Sequence, residues 1–158
     1  MASILSTTVV LCLQYILAAC SCPDGWQRHG PTCYHFSHDL ESFGIADLMC
    51  KHMGGVLAEI ETLQESSFLS AQVASFNNRY WIGLTDIQEE GIWKWFNTNT
   101  MLIQTNVSNW ASHEPDNTND IENCVILGGT KGLWWDHPCH EFNRYICEML
   151  DESGNVIG

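Results

Sequence analysis

The chain has 158 residues, enough for one domain with a core of its own. Its 19 acidic and 6 basic residues leave a net charge of −13, which repels phosphate backbones, excludes nucleic acid as a partner and favours cations. The globular composition, with 7 tryptophans, also excludes a disordered or fibrous protein.

Residues 1–19 (MASILSTTVVLCLQYILAA) carry no charged side chain and end in small residues before Cys20. This predicts a secretory signal peptide cleaved between positions 18 and 21, hence a secreted, extracellular protein. The run is short for a span and contains Ser, Thr and Gln, and no later apolar stretch reaches about 18 residues, so membrane insertion is not expected. Cysteines stand at 12, 20, 22, 33, 50, 124, 139 and 147. Cys12 leaves with the leader, and the six from Cys22 onward form an even set, which in an exported chain implies a disulfide framework. Spacing leaves the pairing open. Cys20 is the odd one: retained at the mature N-terminus it would link a homodimer, and removed it has no role.

From Ser21 the chain reads SCPDGWQRHGPTCYHF, two turn signals between cysteines, as in a closed hairpin. Residues 43–53 place Phe43, Ala46, Met49 or Cys50, and Met53 on one helical face, stopped by Gly54-Gly55. Residues 56–60 are a short strand-like link. Thr62-Leu-Gln-Glu65 has the capping-box pattern, and Phe68, Leu69 and Val73 continue a second helix that ends before Asn77. The run 80–84 (YWIGL) is an apolar core strand, and 92–96 alternates Trp93 and Trp95 around Lys94 as a half-exposed strand. Residues 97–122 are polar, and a loop of that length is functional or disordered. Short strands at 124–127, 133–135 and 145–148 close the domain, and 150–158 has no apolar periodicity and is expected to be a disordered tail. The fold class is α+β, two helices beside a small, mostly antiparallel sheet.

Asn106-Val107-Ser108 is a glycosylation sequon in a surface loop. His137-Pro138-Cys139-His140 hints at zinc, but a disulfide at Cys139 would make it a surface turn. No Ser, Cys or Lys nucleophile has an evident base partner, so an enzyme is not expected.

The order CPDGW, Cys33-Tyr34, GGVLAEI, YWIGL, EPD, ENC, WWD and CEM resembles a long-form C-type lectin domain over residues 22–149. In flavour it is similar to the secreted single-domain lectins of invertebrates, including perlucin-like members. The resemblance implies a C-type lectin fold: two helices, small antiparallel sheets, a long calcium-binding loop and termini close together. It also implies three disulfides, Cys22–Cys33, Cys50–Cys147 and Cys124–Cys139, and a structural role for Trp81.

Calcium takes about six to eight oxygens. Glu114-Pro115-Asp116 offers two carboxylates around one rigid residue, with a cis proline implied by the family. Bonding of Cys124 to Cys139 would draw Glu122 and Asp136 to the same end of the loop. Four anions brought together repel unless a divalent cation joins them. The resemblance therefore implies a principal Ca2+ site at Glu114, Asp116, Glu122 and Asp136. Asp86, Glu90, Asn117 and Asn123 match the family's auxiliary calcium positions, with exposed acids lacking an ion as the alternative.

The chain departs from the family at one place. Sugar-binding members read Trp-Asn-Asp where this chain reads Trp134-Trp135-Asp136, and an indole supplies no metal oxygen. Glu-Pro-Asp offers acceptors on both sides of a sugar, which removes most of the donor–acceptor asymmetry that separates mannose-type from galactose-type members and leaves only a slight lean to mannose. Trp135 would either stack on a sugar, tilting the choice to galactose, or pack the loop. The implied function is calcium-dependent binding of mannose- or galactose-type glycans on microbial surfaces in innate immunity, through Glu114, Asp116, Glu122, Trp135 and Asp136. The alternative keeps the fold and binds a protein or mineral surface without recognising sugar.

Overall fold

The computed structural model describes residues 22–150; the leader at 1–19, Cys20 and residues 151–158 lie outside the described residues. The elements in chain order are β1 (Gln27–His29), β2 (Thr32–Phe36), α1 (Phe43–His52), β3 (Val56–Leu57), α2 (Leu63–Phe76), β4 (Tyr80–Thr85), β5 (Lys94–Trp95), β6 (Cys124–Gly128), β7 (Leu133–His137) and β8 (Arg144–Leu150).

The continuous apolar runs follow from burial on both faces of the sheet. Along β4, Tyr80, Ile82 and Leu84 pack with Leu69 and Val73 of α2, whereas Trp81 points the other way toward Phe43, Ala46 and Cys50 of α1. Strand β6 repeats the alternation, with Val125 and Leu127 on the α2 side and Cys124 and Ile126 on the α1 side. A period of two with both faces covered reads in sequence as an unbroken apolar string. Trp81 is fully buried and donates its indole N–H to the Glu41 carbonyl at 2.8 Å, so it is a core residue.

The strands join into one sheet of order β1-β2-β8-β4-β6-β7, with β3 added on β8 and β5 on β4. All pairs are antiparallel except β4 with β8, where Tyr80 faces Arg144 and Trp81 faces Tyr145 in parallel register. Strand β8 also pairs with β2, so the two ends of the described chain lie together. Leu150, expected in the tail, closes this ladder opposite Thr32.

Helix α2 starts where the capping pattern places it, with the Thr62 hydroxyl accepting from the Glu65 N–H at 3.2 Å. It stops at Asn77, which takes a left-handed conformation at φ 52°. The strand expected over 92–96 shrinks to two residues. Trp95 is fully buried beneath it, and Trp93 leaves the ladder to meet Trp110 edge-on at 5.0 Å. All three disulfides form in the implied pairing, Cys22–Cys33, Cys50–Cys147 and Cys124–Cys139.

Candidate functional site

The β6–β7 hairpin positions the first candidate side chain, Asp136. Its register sets Val125 opposite Asp136 and Ile126 opposite Trp135, and the Cys124–Cys139 disulfide closes its open end. Alternation along β7 then buries Trp134, exposes Trp135 and buries Asp136.

The long loop folds back over this strand. Trp110 bridges to Trp134, and the Ala111 N–H donates to the Trp134 carbonyl at 2.9 Å. The Glu114–Pro115 peptide is cis. The backbone N–H groups of Asp116 and Asn117 then donate to the two carboxylate oxygens of Asp136, at 3.3 and 2.7 Å. One carboxylate thus pins the loop to the sheet.

Glu114, Asp116 and Asp136 each bring a carboxylate oxygen to within 4.8 Å of the others, and they are the only such group among the described residues. Asp116 also accepts from the Thr118 hydroxyl at 2.6 Å and its N–H at 3.0 Å. Glu122 stands at the side of this trio. It accepts from the Thr118 N–H at 3.0 Å, its own N–H donates to the Asn117 amide oxygen at 3.0 Å, and its other oxygen lies 4.0 Å from His137 Nδ1. Glu114, Asp116, Thr118, Glu122, Asp136 and His137 line a cleft of about 230 Å³ whose rim carries Trp135 at 40% exposure.

The electrostatics of the cleft are those of crowded anions. Burial, a hydrogen bond to Asp136 and the charges of Asp136, Asp116 and Glu122 push the Glu114 carboxyl up to about 8. Burial first, then Asp136 and Asp116, raises Glu122 against the backbone hydrogen bond from Thr118. A carboxyl that keeps a proton near neutral pH because it is partly buried among negative neighbours is a position where a cation would replace the proton. The donors are all oxygens, so the set fits a hard divalent ion such as calcium.

The auxiliary positions are less assembled. Asp86 is buried, and one oxygen accepts from the Gly91 N–H at 2.8 Å. Its other oxygen and the Asn123 amide oxygen are buried without a partner among the described residues. The two residues adjoin across the sheet, where the Asn123 carbonyl accepts from the Thr85 hydroxyl at 2.6 Å and the Asp86 N–H at 3.3 Å. Two orphaned oxygens on adjoining residues are candidates for a cation, but Glu90 is exposed and the Asn117 amide oxygen is already engaged.

Sequence reasoning did not place Arg79, Thr118, Ile126, Gly129 or His137 in this cleft. Arg79, at the entry to β4, lines the cleft together with Thr118 and His137. No motif signals Arg79, because only sheet packing brings it against Gly128 and into the cleft that Trp135 also lines. Burial and the Arg79 charge lower the His137 imidazole, so it is a neutral neighbour of Glu122 near neutral pH. The zinc hint at 137–140 lapses because Cys139 is bonded to Cys124.

A family model for the lectin C-type domain matches residues 39–149. The chain belongs to the C-type lectin domain family. This lectin domain is 30% identical over 158 residues to a perlucin-like protein of Mytilus galloprovincialis, covering 94% of each chain. It is 34% identical over 131 residues to perlucin of Haliotis laevigata, covering 80% of this chain and 82% of the relative. Its fold matches the mouse scavenger receptor C-type lectin carbohydrate-recognition domain at a TM-score of 0.76 and 31% identity, covering 82% of this chain and 98% of that one. A calcium-independent type II antifreeze protein shares the fold at a TM-score of 0.70 and 25% identity, covering 82% of this chain and 95% of that one. Among the described residues, no helix of this lectin domain is long and apolar enough to cross a membrane.

Proposed function

We propose that this lectin domain binds carbohydrate in a calcium-dependent way through the cleft between the long loop and β7. The observation that carries the reading is the trio Glu114, Asp116 and Asp136, whose carboxylate oxygens lie within 4.8 Å of one another. Those three would hold the ion, with Glu122 beside them. Once bound there, a calcium ion would supply coordination positions for vicinal sugar hydroxyls. The chain's own part is to orient the acids. Asp136 is fixed by two backbone N–H groups and Asp116 by Thr118, so little ordering remains for binding. Carboxylate oxygens not spent on the ion accept hydrogen bonds from the same hydroxyls, and the exposed Trp135 ring offers a face for the apolar side of a pyranose.

Mannose- or galactose-type glycans of microbial surfaces, met in innate immunity, are the target class we propose. The Glu114 and Asp116 carboxylates offer acceptors to sugar hydroxyls, and with no amide donor between them they leave only a slight lean to mannose. Two orphaned oxygens at Asp86 and Asn123 support a weaker auxiliary ion. The three disulfides suit an extracellular, oxidising compartment, and Cys20 is the residue through which a homodimer would form.

Retention on mannose and galactose resins, released by chelator and by free sugar, tests the reading. Replacing Glu114 and Asp136 together by Ala should abolish that retention while free-thiol titration still finds the disulfides intact. Normal glycan binding by the double variant would overturn the assignment. A second reading, a module that binds a protein or mineral surface without sugar, is favoured by Trp135 in place of a ligating Asn. The calcium-independent antifreeze relative has the same fold. Binding that persists in chelator and ignores free sugar would select this second reading.

A further inference from the structure

A second concavity, sharing no residue with the acidic cleft, opens in the long-loop region. It is a groove of about 490 Å³ between the segment 91–93 and the segment 101–108. Its walls are hydrocarbon: Ile92, Met101 and Ile103 expose 39, 43 and 85% of their surface, and half-buried Trp93 is backed by Trp110. Apolar surface gathered in one groove on so acidic a chain calls for an occupant. Asn106 and Ser108 line the same groove, and they belong to the chain's single Asn-X-Ser/Thr sequon. Both side chains are exposed, while Val107 between them is 3% exposed and anchors the turn in the core. The Asn106 backbone is left-handed at φ 54°, and its side-chain amide makes no hydrogen bond among the described residues.

The geometry points to an N-linked glycan on Asn106 as the cover of this groove, its first N-acetylglucosamine units lying against Ile92, Trp93 and Ile103. The fit is chemical. A pyranose presents one face of C–H groups and the N-acetyl group adds a methyl, both suited to an indole and aliphatic wall, while the hydroxyls stay in water. A glycan tethered at the groove's rim also has a high effective concentration there, which favours it over a diffusing partner. The transfer balances with a lipid-linked pyrophosphoryl oligosaccharide as donor. The Nδ2–C1 bond forms, the C1–O bond to pyrophosphate breaks, the lipid pyrophosphate leaves and the amide gives up one proton. The disulfides place the chain in the oxidising pathway where such donors act.

The experiment uses the full chain secreted from eukaryotic cells. The peptide containing Asn106 is expected to carry an oligosaccharide that an N-glycan amidase releases. N-acetyl methyl protons should show cross-relaxation to the Trp93 indole. Both Asn106→Gln and Ser108→Ala should lose the glycan and raise apolar-dye emission by about twofold or more, with resin retention unchanged. A secreted chain without glycan overturns the inference, as does a glycan whose removal alters neither Trp93 nor dye binding. Groove protection that appears in Asn106→Gln only on dimerisation assigns the surface to a second copy and overturns it too. Because resin retention is scored separately, failure here is distinguishable from failure of the acidic cleft.

Discussion

Asp136 joins loop, sheet and acidic trio, and the residue that precedes it decides how much oxygen the cleft offers. Trp135 supplies a ring and no ligating oxygen, so Trp135→Asn should strengthen calcium binding severalfold, on the order of 1 kcal/mol. Titration calorimetry reads this directly, and a weaker ion affinity would count against the placement. Glu114 adds a pH dependence of known sign. Its carboxyl is raised from 4.5 to about 8, so in the metal-free protein it is protonated through neutral pH and must lose that proton to ligate. Calcium affinity should therefore climb as pH rises from about 4.5 and level off above about 8, with proton release on binding that disappears at the top of the range. Heats measured in buffers of different ionisation enthalpy check both points. Flat affinity across that window would mean that Glu114 does not hold the ion.

At the level of elements, the stability of the sheet depends on how closely β4 lies against the chain leaving β3. Gly83 donates its N–H to the Ala58 carbonyl at 2.8 Å, and a Cβ placed there would stand 2.9 Å from the Leu57 carbonyl oxygen. Backbone cannot step aside as a flexible side chain can. Gly83→Ala should cost about 1–3 kcal/mol of stability by overpacking, visible as a lower urea midpoint with the calcium affinity of the folded fraction unchanged. The helices are governed differently, by local signals. Thr62 and Glu65 set the start of α2, and an αL Asn77 ends it, which is why its bounds could be written from residue types.

The molecule as a whole carries a second concentration of acid that no motif announces. Glu148 on β8 lies opposite Tyr34 of β2 and lines a concavity with Glu59, Glu61 and Glu65. Tyr34 donates its hydroxyl to Glu65. Burial, then the charges of Glu65, Glu59 and Glu61, pushes the Glu148 carboxyl from 4.5 up to about 9. A raised carboxyl stabilises the folded state fully below its unfolded value and loses that contribution as pH climbs through the folded value. Gln mimics the protonated form at every pH. Glu148→Gln should thus match the parent's melting temperature at about pH 5 and exceed it at about pH 9. Melting both proteins in chelator isolates Glu148, because the cleft acids contribute equally to each. Identical melting curves at high pH would show that Glu148 is ionised without penalty.

Residue order alone determined the features that rest on short-range physics or on spacing. These were the capped second helix, the apolar core strand at 80–84, the even cysteine set, and the Glu114-Pro115-Asp116 pair of carboxylates in a polar loop. The tertiary structure decided what depends on contacts distant in sequence. It placed Glu122 beside the trio of Glu114, Asp116 and Asp136, brought Arg79 and His137 to the same cleft, and paired β4 with β8 in parallel. It also cut the strand expected at 92–96 to two residues and turned Trp93 toward Trp110, a contact with a residue distant in sequence. A carboxylate's charge is written in its residue type. Whether it keeps a proton depends on burial and on the neighbours that the fold delivers, and Glu114 and Glu148 owe their raised values to both.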